Sequence, residues 1–277
     1  FYIHYGGKKG IEVIVFGKNH HKMGEHAIVS KNWNPRRKRL VKVSGAYEIN
    51  GEPVIFLQYF GDKTPVLYRI RLNPLNGMLK KEEVVGTRLH KFYMRRMDDV
   101  AGGQNIYVEK DPNSDNYAVI IFNGQKKDND QKIEVMHFDG NDKMINHAFY
   151  RSPDQDLKYL EFIGAVVDGG KRIYISTYGA DSRKGKNAHV FISRLNAGDS
   201  NFVNKTLDFT EDFQNTSSDM VYDHKQNSII MLTNTLAKER SATTSYVSFV
   251  SYIDPESLEL KGVNLVGSEK VNEYAHK

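Results

Sequence analysis

The feature that most constrains this chain is a pair of short strands that recurs along it. The stretches VIFLQYFGDKTPVLYRIRLN at 54–73, VIIFNGQKKDNDQKIEVMHFDG at 119–140 and IYISTYGADSRKGKNAHVFISRLN at 173–196 share one pattern. In each, a β-branched or aromatic run ends in a small residue, a polar loop follows, and a second alternating run leads into a turn. FYIHYGGKKGIEVIVFGKN at the start is a shorter copy, and IIMLTNTLAKERSATTSYVSFVSYIDP from 229 a looser one. The marker positions are Gly6, Gly61, Gly124, Gly179 and Asn234, separated by 55, 63, 55 and 55 residues. Asparagine is the natural replacement for glycine at a left-handed position, because it tolerates positive φ better than other side chains. Self-similarity at a near-fixed period implies a repeat architecture in which each unit buries its apolar face against the next.

Each unit reads as four strands, designated a to d. In the second unit they fall at 41–48, 54–60, 66–72 and 79–85. The turns between them have suitable chemistry: Asn50-Gly51 between a and b, and Asn73-Pro74-Leu75-Asn76-Gly77 between c and d. The c–d turn recurs as Asp139-Gly140-Asn141-Asp142, Asn196-Ala197-Gly198-Asp199 and Asp254-Pro255-Glu256-Ser257. No 12-residue window carries a helical stripe. An all-β chain of even, short strands in a four-strand repeat of about 55 residues resembles the β-propeller proteins as a class. The resemblance covers nearly the whole length and lies in the repeat architecture, without a WD dipeptide or a kelch double glycine. Fold-level resemblance carries no function with it.

The arithmetic of the repeats predicts a single propeller domain over 1–277 with five blades. The first repeat begins at strand b, and a shift of 55 from Asp219 lands at 274, so the stretch 273–277 is expected to complete the first blade. A fragment of a longer propeller would instead have six to eight blades.

Hydrophobic residues make up 39% of the chain and aromatics 11%, too apolar for disorder and too polar for a membrane protein. Cysteine is absent, which removes disulfides, thiolate metal sites and cysteine nucleophiles together. A cysteine-free chain that begins at Phe1 suits an exported bacterial protein whose leader has been removed, and a periplasmic or extracellular location is expected.

Alternation of loops in a four-strand blade sorts the charges between two faces. The b–c loops and d–a connections carry a net charge of +11, while the a–b and c–d turns carry −6. The basic set is densest at Lys31, Arg36, Arg37, Lys38 and Arg39, and at Arg88, Lys91, Arg95 and Arg96. Trp33, Phe92 and Tyr93 lie among them. Guanidinium groups bind carboxylate, sulfate or phosphate bidentately, and a neighbouring ring offers a stacking face. A solvated charge run is the ordinary alternative, and Trp33 has the further option of packing between blades. The basic tip at 183–186 has no aromatic companion and is the weaker candidate.

No residue pattern identifies a reaction. Inner-strand carboxylates at Glu48, Asp98, Asp99, Glu161 and Asp219 suit a paired-carboxylate glycan hydrolase, with Asp98, Asp99 and Asp219 foremost. His20, His21, His26 and Glu25 are of metal-ligand type but match no zinc spacing, so surface histidines are expected. Asp111-Pro112-Asn113-Ser114-Asp115 has the look of a calcium loop without its glycine and terminal glutamate, and reads better as an a–b turn. The expectation is therefore a binding or interaction module with no catalytic residues, cofactor or metal. It would engage an acidic glycan or acidic protein surface through Trp33, Arg36, Arg37, Arg39, Lys91, Tyr93, Arg95 and Arg96. The acidic opposite face argues against nucleic acid, no membrane span is present, and a monomer is expected. A glycan-active hydrolase and a rigid domain of a larger exported protein are the alternatives.

Overall fold

The computed structural model describes residues 1–5, 10–33, 41–60, 64–88, 106–124, 128–154, 157–182, 187–207, 217–238 and 244–266. These form nineteen strands and a single 3-10 turn at Asn129–Gln131. The first sheet has three strands, β1 (Tyr2–Tyr5), β2 (Ile11–Phe16) and β3 (Lys22–Ile28). Four four-stranded sheets follow. They are β4 (Val41–Ile49), β5 (Glu52–Tyr59), β6 (Val66–Leu72) and β7 (Leu79–Thr87); then β8 (Ile106–Lys110), β9 (Tyr117–Phe122), β10 (Ile133–Phe138) and β11 (Met144–Phe149). The last two are β12 (Tyr159–Asp168), β13 (Arg172–Ala180), β14 (His189–Asn196) and β15 (Val203–Leu207); and β16 (Ser217–Asp223), β17 (Ser228–Lys238), β18 (Thr244–Ile253) and β19 (Leu260–Val266). Every sheet is a meander in which neighbours in sequence are neighbours in space. The chain is an all-β propeller of four-stranded blades, with five blades represented. The stretch 273–277, expected to complete the first blade, lies outside the described residues. No helix among the described residues is long and apolar enough to cross a membrane.

Two compact units are present, residues 1–126 with 134–144, and residues 127–133 with 145–277. In the first, alternate residues of β5 serve two different cores. Val54 and Phe56 pack with Tyr117, Val119 and Phe138 of the third blade, while Ile55 and Leu57 pack with Val13, Val15 and Trp33 beside the first. Opposite faces of one strand thus both meet apolar neighbours, which is why the central strands read as unbroken apolar runs. The innermost strands β4 and β8 lie side by side. In the second unit the equivalent strands β12 and β16 do the same. Its core joins Tyr174, Val190 and Ile192 to Ile229, Met231 and Ile253.

The sequence-predicted turns form as their residues require. Asn50 and Gly51 both take positive φ, at 53° and 71°, as a two-residue hairpin turn demands. Inner strands β4 and β12 each carry a bulge, at Ser44 and Ile163, followed in both by Gly-Ala. The fifth blade departs from expectation: β17 and β18 stay paired out to Lys238 and Thr244, so most of the stretch read as a polar loop is ladder. Its threonines are β-branched and continue the strand without an apolar pattern to announce it.

A recurring arginine ties blades together at the c–d turns. Arg71, in Arg71-Leu72-Asn73, reaches the third blade's turn: its Nε and Nη2 donate to the two oxygens of Asp142 at 2.7 and 2.6 Å, and Nη2 to Gly140 O at 3.0 Å. Arg194, in Arg194-Leu195-Asn196, donates to Pro255 O and Glu256 O of the fifth blade's turn at 2.9 and 2.6 Å. At the fourth blade's turn Asn146 does the same work, donating to Asn196 O and accepting from Gly198 N, both at 2.5 Å.

Candidate functional site

Of the eight expected contact residues, Arg36, Arg37, Arg39, Lys91, Tyr93, Arg95 and Arg96 lie outside the described residues, as does the tip at 183–186. Trp33 is described and is only 1% exposed. It packs with Val13, Leu57 and Tyr68, and its indole N–H donates to Glu82 Oε2 at 3.2 Å. The ring is therefore a core element at the foot of the basic connection, and no open face is left on it for a ligand. Glu82 also accepts from Ser30 Oγ at 2.7 Å and Asn32 Nδ2 at 2.5 Å, so one carboxylate fixes the start of that connection. Lys31 is exposed. Arg88 is buried, its backbone N–H donates to Pro65 O at 2.9 Å, and burial lowers its proton affinity.

Asp98 and Asp99 also fall outside the described residues. Glu161 and Asp219 sit third in β12 and β16, opposite Tyr178 and Leu232, and both are exposed. Glu48 is exposed near the opposite, a–b end of its own strand β4, across from Pro53. Wherever a described carboxylate has a displaced proton affinity, the displacement is downward. Lys80 and Arg71 lower Glu52 against the effect of burial, and Arg69 and Lys81 lower Glu83. Burial raises Asp142, but the Arg71 fork, the Tyr117 hydroxyl and the Arg69 charge outweigh it, so its pKa is also lowered. Lys261 and the backbone of the turn hold Asp254 far below the usual carboxylate range.

The cation-type motifs resolve into local structure. In the 111–115 turn Asp111 accepts from Asn113 N at 2.9 Å and Ser114 Oγ at 2.6 Å. Lys110 Nζ donates to Asp111 O and Ser114 O at 2.9 and 2.6 Å, so a lysine ammonium takes the carbonyls a calcium ion would need. His26 lies on β3 opposite Val13, and Glu25 pairs with Lys22. Among the described residues no three potential ligands cluster as a metal site.

Sequence reasoning missed two features. One is the buried group of Arg69, Arg71, Tyr117 and Asp142, with the partly exposed Glu83 at its edge. Its arginines sit on β6 and resembled ordinary outward-facing strand residues. The other is a pocket of about 380 Å3 in the first unit, lined by Phe1, Ile3, Ala46, Tyr47, Glu48 and Pro53 among others. Glu48 was visible as an inner-strand carboxylate, whereas the residues that line the pocket with it come from two blades.

No family model matches this chain, and no curated protein matches it. Among solved structures it is similar to an α-L-arabinanase of Cellvibrio cellulosa, at 8% identity and a TM-score of 0.36, over 83% of this chain and 78% of that one. A likeness of that size carries no argument about activity, and the fold rests on the meanders themselves.

Proposed function

We propose that this propeller is a non-catalytic binding module, exported from the cell, that engages an acidic glycan or acidic protein surface through its d–a and b–c loops. The observation that carries this reading is the different fate of the two charge sets. On the a–b and c–d side the acids are taken up internally: Asp142 by Arg71, Asp254 by Lys261, Glu256 by Arg172 and Arg194, and Glu52 by Arg71 and Lys80. These four acids therefore serve the joints between strands and blades, and the charge they offer a polycation is reduced. The nine basic residues of the 30–40 and 86–97 connections are the largest concentration of one sign in the chain. Arg36, Arg37, Arg39, Lys91, Tyr93, Arg95 and Arg96 are the proposed contacts, above the Trp33–Glu82 anchor.

Hydrolysis is the second reading, through carboxylates such as Asp98, Asp99 and Asp219. It needs one carboxyl group with raised proton affinity to protonate a leaving group. Glu52, Glu83, Asp142 and Asp254 are all displaced the other way by their cationic partners and so do not supply that acid.

The test is binding to a panel of sulfated and carboxylated glycans at several salt concentrations, with a variant carrying Arg36→Ala, Arg37→Ala, Arg95→Ala and Arg96→Ala. Binding that weakens with salt and is lost in the variant supports the reading. Equal binding by both proteins, or none by either, removes it. Release of reducing sugar during incubation would move the assignment to the hydrolase.

A further inference from the structure

The turn between β2 and β3 brings two soft donor atoms together over a glycine. Gly17 N donates to His21 O at 2.9 Å and His20 N to Gly17 O at 3.0 Å, with His20 at a φ of 57°. This tight reversal lays His21 over Gly17, and Met23, two residues further along the extending chain, projects to the same side. A Cβ added to Gly17 would stand 2.6 Å from His21 Cε1, 3.0 Å from His21 Nε2 and 3.1 Å from Met23 Sδ. The imidazole nitrogen and the thioether sulfur therefore lie within about 6 Å of each other, a separation that one metal ion can close. Gly17 does not take positive φ, so the backbone does not require a glycine there. What its missing side chain provides is room for the ring and the sulfur.

Both donors are open to solvent, His21 being exposed and Met23 62% exposed. Lys22, between them, pairs with Glu25, so its ammonium opposes an incoming cation less than a free lysine would. The chain has no cysteine, which leaves methionine sulfur as the softest ligand it can offer.

From this geometry we propose that His21 and Met23 bind one soft monovalent ion, copper(I) or silver(I), through Nε2 and Sδ. Zinc and calcium are the wrong class. Zinc takes four ligands and calcium six or more oxygens, and no three histidine or carboxylate ligands cluster among the described residues. A thioether selects soft copper(I) over harder cations, and a monovalent d10 ion is satisfied by two donors in line. Bonds of about 2.0 Å to nitrogen and about 2.3 Å to sulfur would hold the donors about 4 Å apart. The three flexible torsions of methionine supply the remaining movement. The site lies on a c–d turn, apart from the proposed anion-binding loops and opposite in charge preference, so neither proposal depends on the other.

The experiment is a titration of the full chain with silver nitrate, followed by 1H–13C shifts of the methionine Cε methyls and histidine Cε1–H groups. A parallel titration uses copper(I) under argon, in competition with a chromogenic copper(I) chelator. The first equivalent should move the Met23 methyl and the His21 ring ahead of the rest, in a chain with 8 methionines and 10 histidines. Met23→Leu, which keeps the bulk and removes the sulfur, should weaken both ions by about tenfold or more while leaving zinc uptake unchanged. His21→Ala should weaken them to a similar extent. Both positions are exposed, so the variants should keep the amide spectrum of the unaltered protein elsewhere. First-equivalent shifts centred on other methionines, undiminished affinity in Met23→Leu, or an equal loss of zinc in that variant would overturn the proposal.

Discussion

Arg71 spans both carboxylate oxygens of Asp142, Nε to Oδ2 at 2.7 Å and Nη2 to Oδ1 at 2.6 Å, and so joins a strand of the second blade to a turn of the third. Both side chains are under 10% exposed. Asp142 itself holds φ at 68°, a left-handed conformation that aspartate tolerates and most residues resist. Tyr117 and Arg69 add to the same carboxylate, the former at 2.8 Å and the latter at 3.3 Å. A turn held within itself by its backbone and by Asp139 Oδ1, and touched from the second blade by Asn50, is thereby registered firmly against its neighbour.

Arg71→Ala is accordingly expected to destabilise the protein by about 3 kcal/mol, because it leaves buried acceptors without their fork. Pairing Arg71→Met with Asp142→Asn removes the charge at both ends while keeping a residue that accepts positive φ, and should recover part of the loss. A double-mutant cycle from urea unfolding measures the coupling. Additive effects of the two changes would mean that the fork contributes nothing specific.

The same group sets a pH dependence. Folded Asp142, Glu52 and Glu83 hold their protons less tightly than ordinary carboxylates. The unfolded chain therefore binds more protons over that range, and stability rises with pH through it. The contribution is fully present above the unfolded carboxylate values near 4 and is lost as pH falls through the lower folded values. Urea midpoints should be level from about pH 7 to 5 and drop below about pH 4. In Asp142→Asn the drop should be shallower.

Two c–d turns share one conformation with different residues at its critical position. In the second blade Gly77 N donates to Asn73 O and Gly77 has φ 73°; in the fifth, Leu258 N donates to Asp254 O and Leu258 has φ 60°. At Gly77 a Cβ would stand 2.9 Å from Val13 and Val15, whereas Leu258 is fully buried in the core of the second unit. Burial of the leucine offsets the cost of its backbone. Leu258→Ala loses packing and keeps the strain, while Leu258→Gly loses packing and relieves it. Leu258→Gly should therefore be the more stable variant by about 1 kcal/mol, a reversal of the usual order. Thermal unfolding of the two proteins decides the matter.

The repeat and its turns were legible in the sequence because each depends on residues a few positions apart. Asn50-Gly51 states its hairpin without help from the rest of the chain, and strand β6 begins and ends where its apolar run does. The inter-blade contacts were not legible in this way. Arg71 and Arg194 occupy the same place in two copies of Arg-Leu-Asn, and that coincidence was the available signal for the staple. What each arginine would meet depends on a turn about 60–70 residues away. Trp33 shows the same limit: in sequence it stands among basic residues, and only its proximity to Glu82, 49 residues on, makes it part of the core. Tyr47 and Glu48 are adjacent in the chain, but the pocket they line is completed by Phe1 and Ile3 of another blade.

Glu82 links the core to the proposed binding loops, and two effects there have opposite signs. Removing a carboxylate beside a basic segment should, by charge alone, strengthen the attraction for an anion. Glu82→Ala also removes the shared acceptor of Ser30, Asn32 and Trp33, releasing the start of the connection that carries Arg36, Arg37 and Arg39. If the orientation of that connection matters for binding, Glu82→Ala should lose affinity for a sulfated glycan by several-fold despite its gain in positive charge. Glu82→Gln, which keeps an acceptor oxygen, should bind at least as well as the unaltered protein. Stability should fall by about 1–3 kcal/mol in the alanine variant, since the buried indole N–H is left without its partner. Tighter binding by both variants would show instead that the loops act through charge alone.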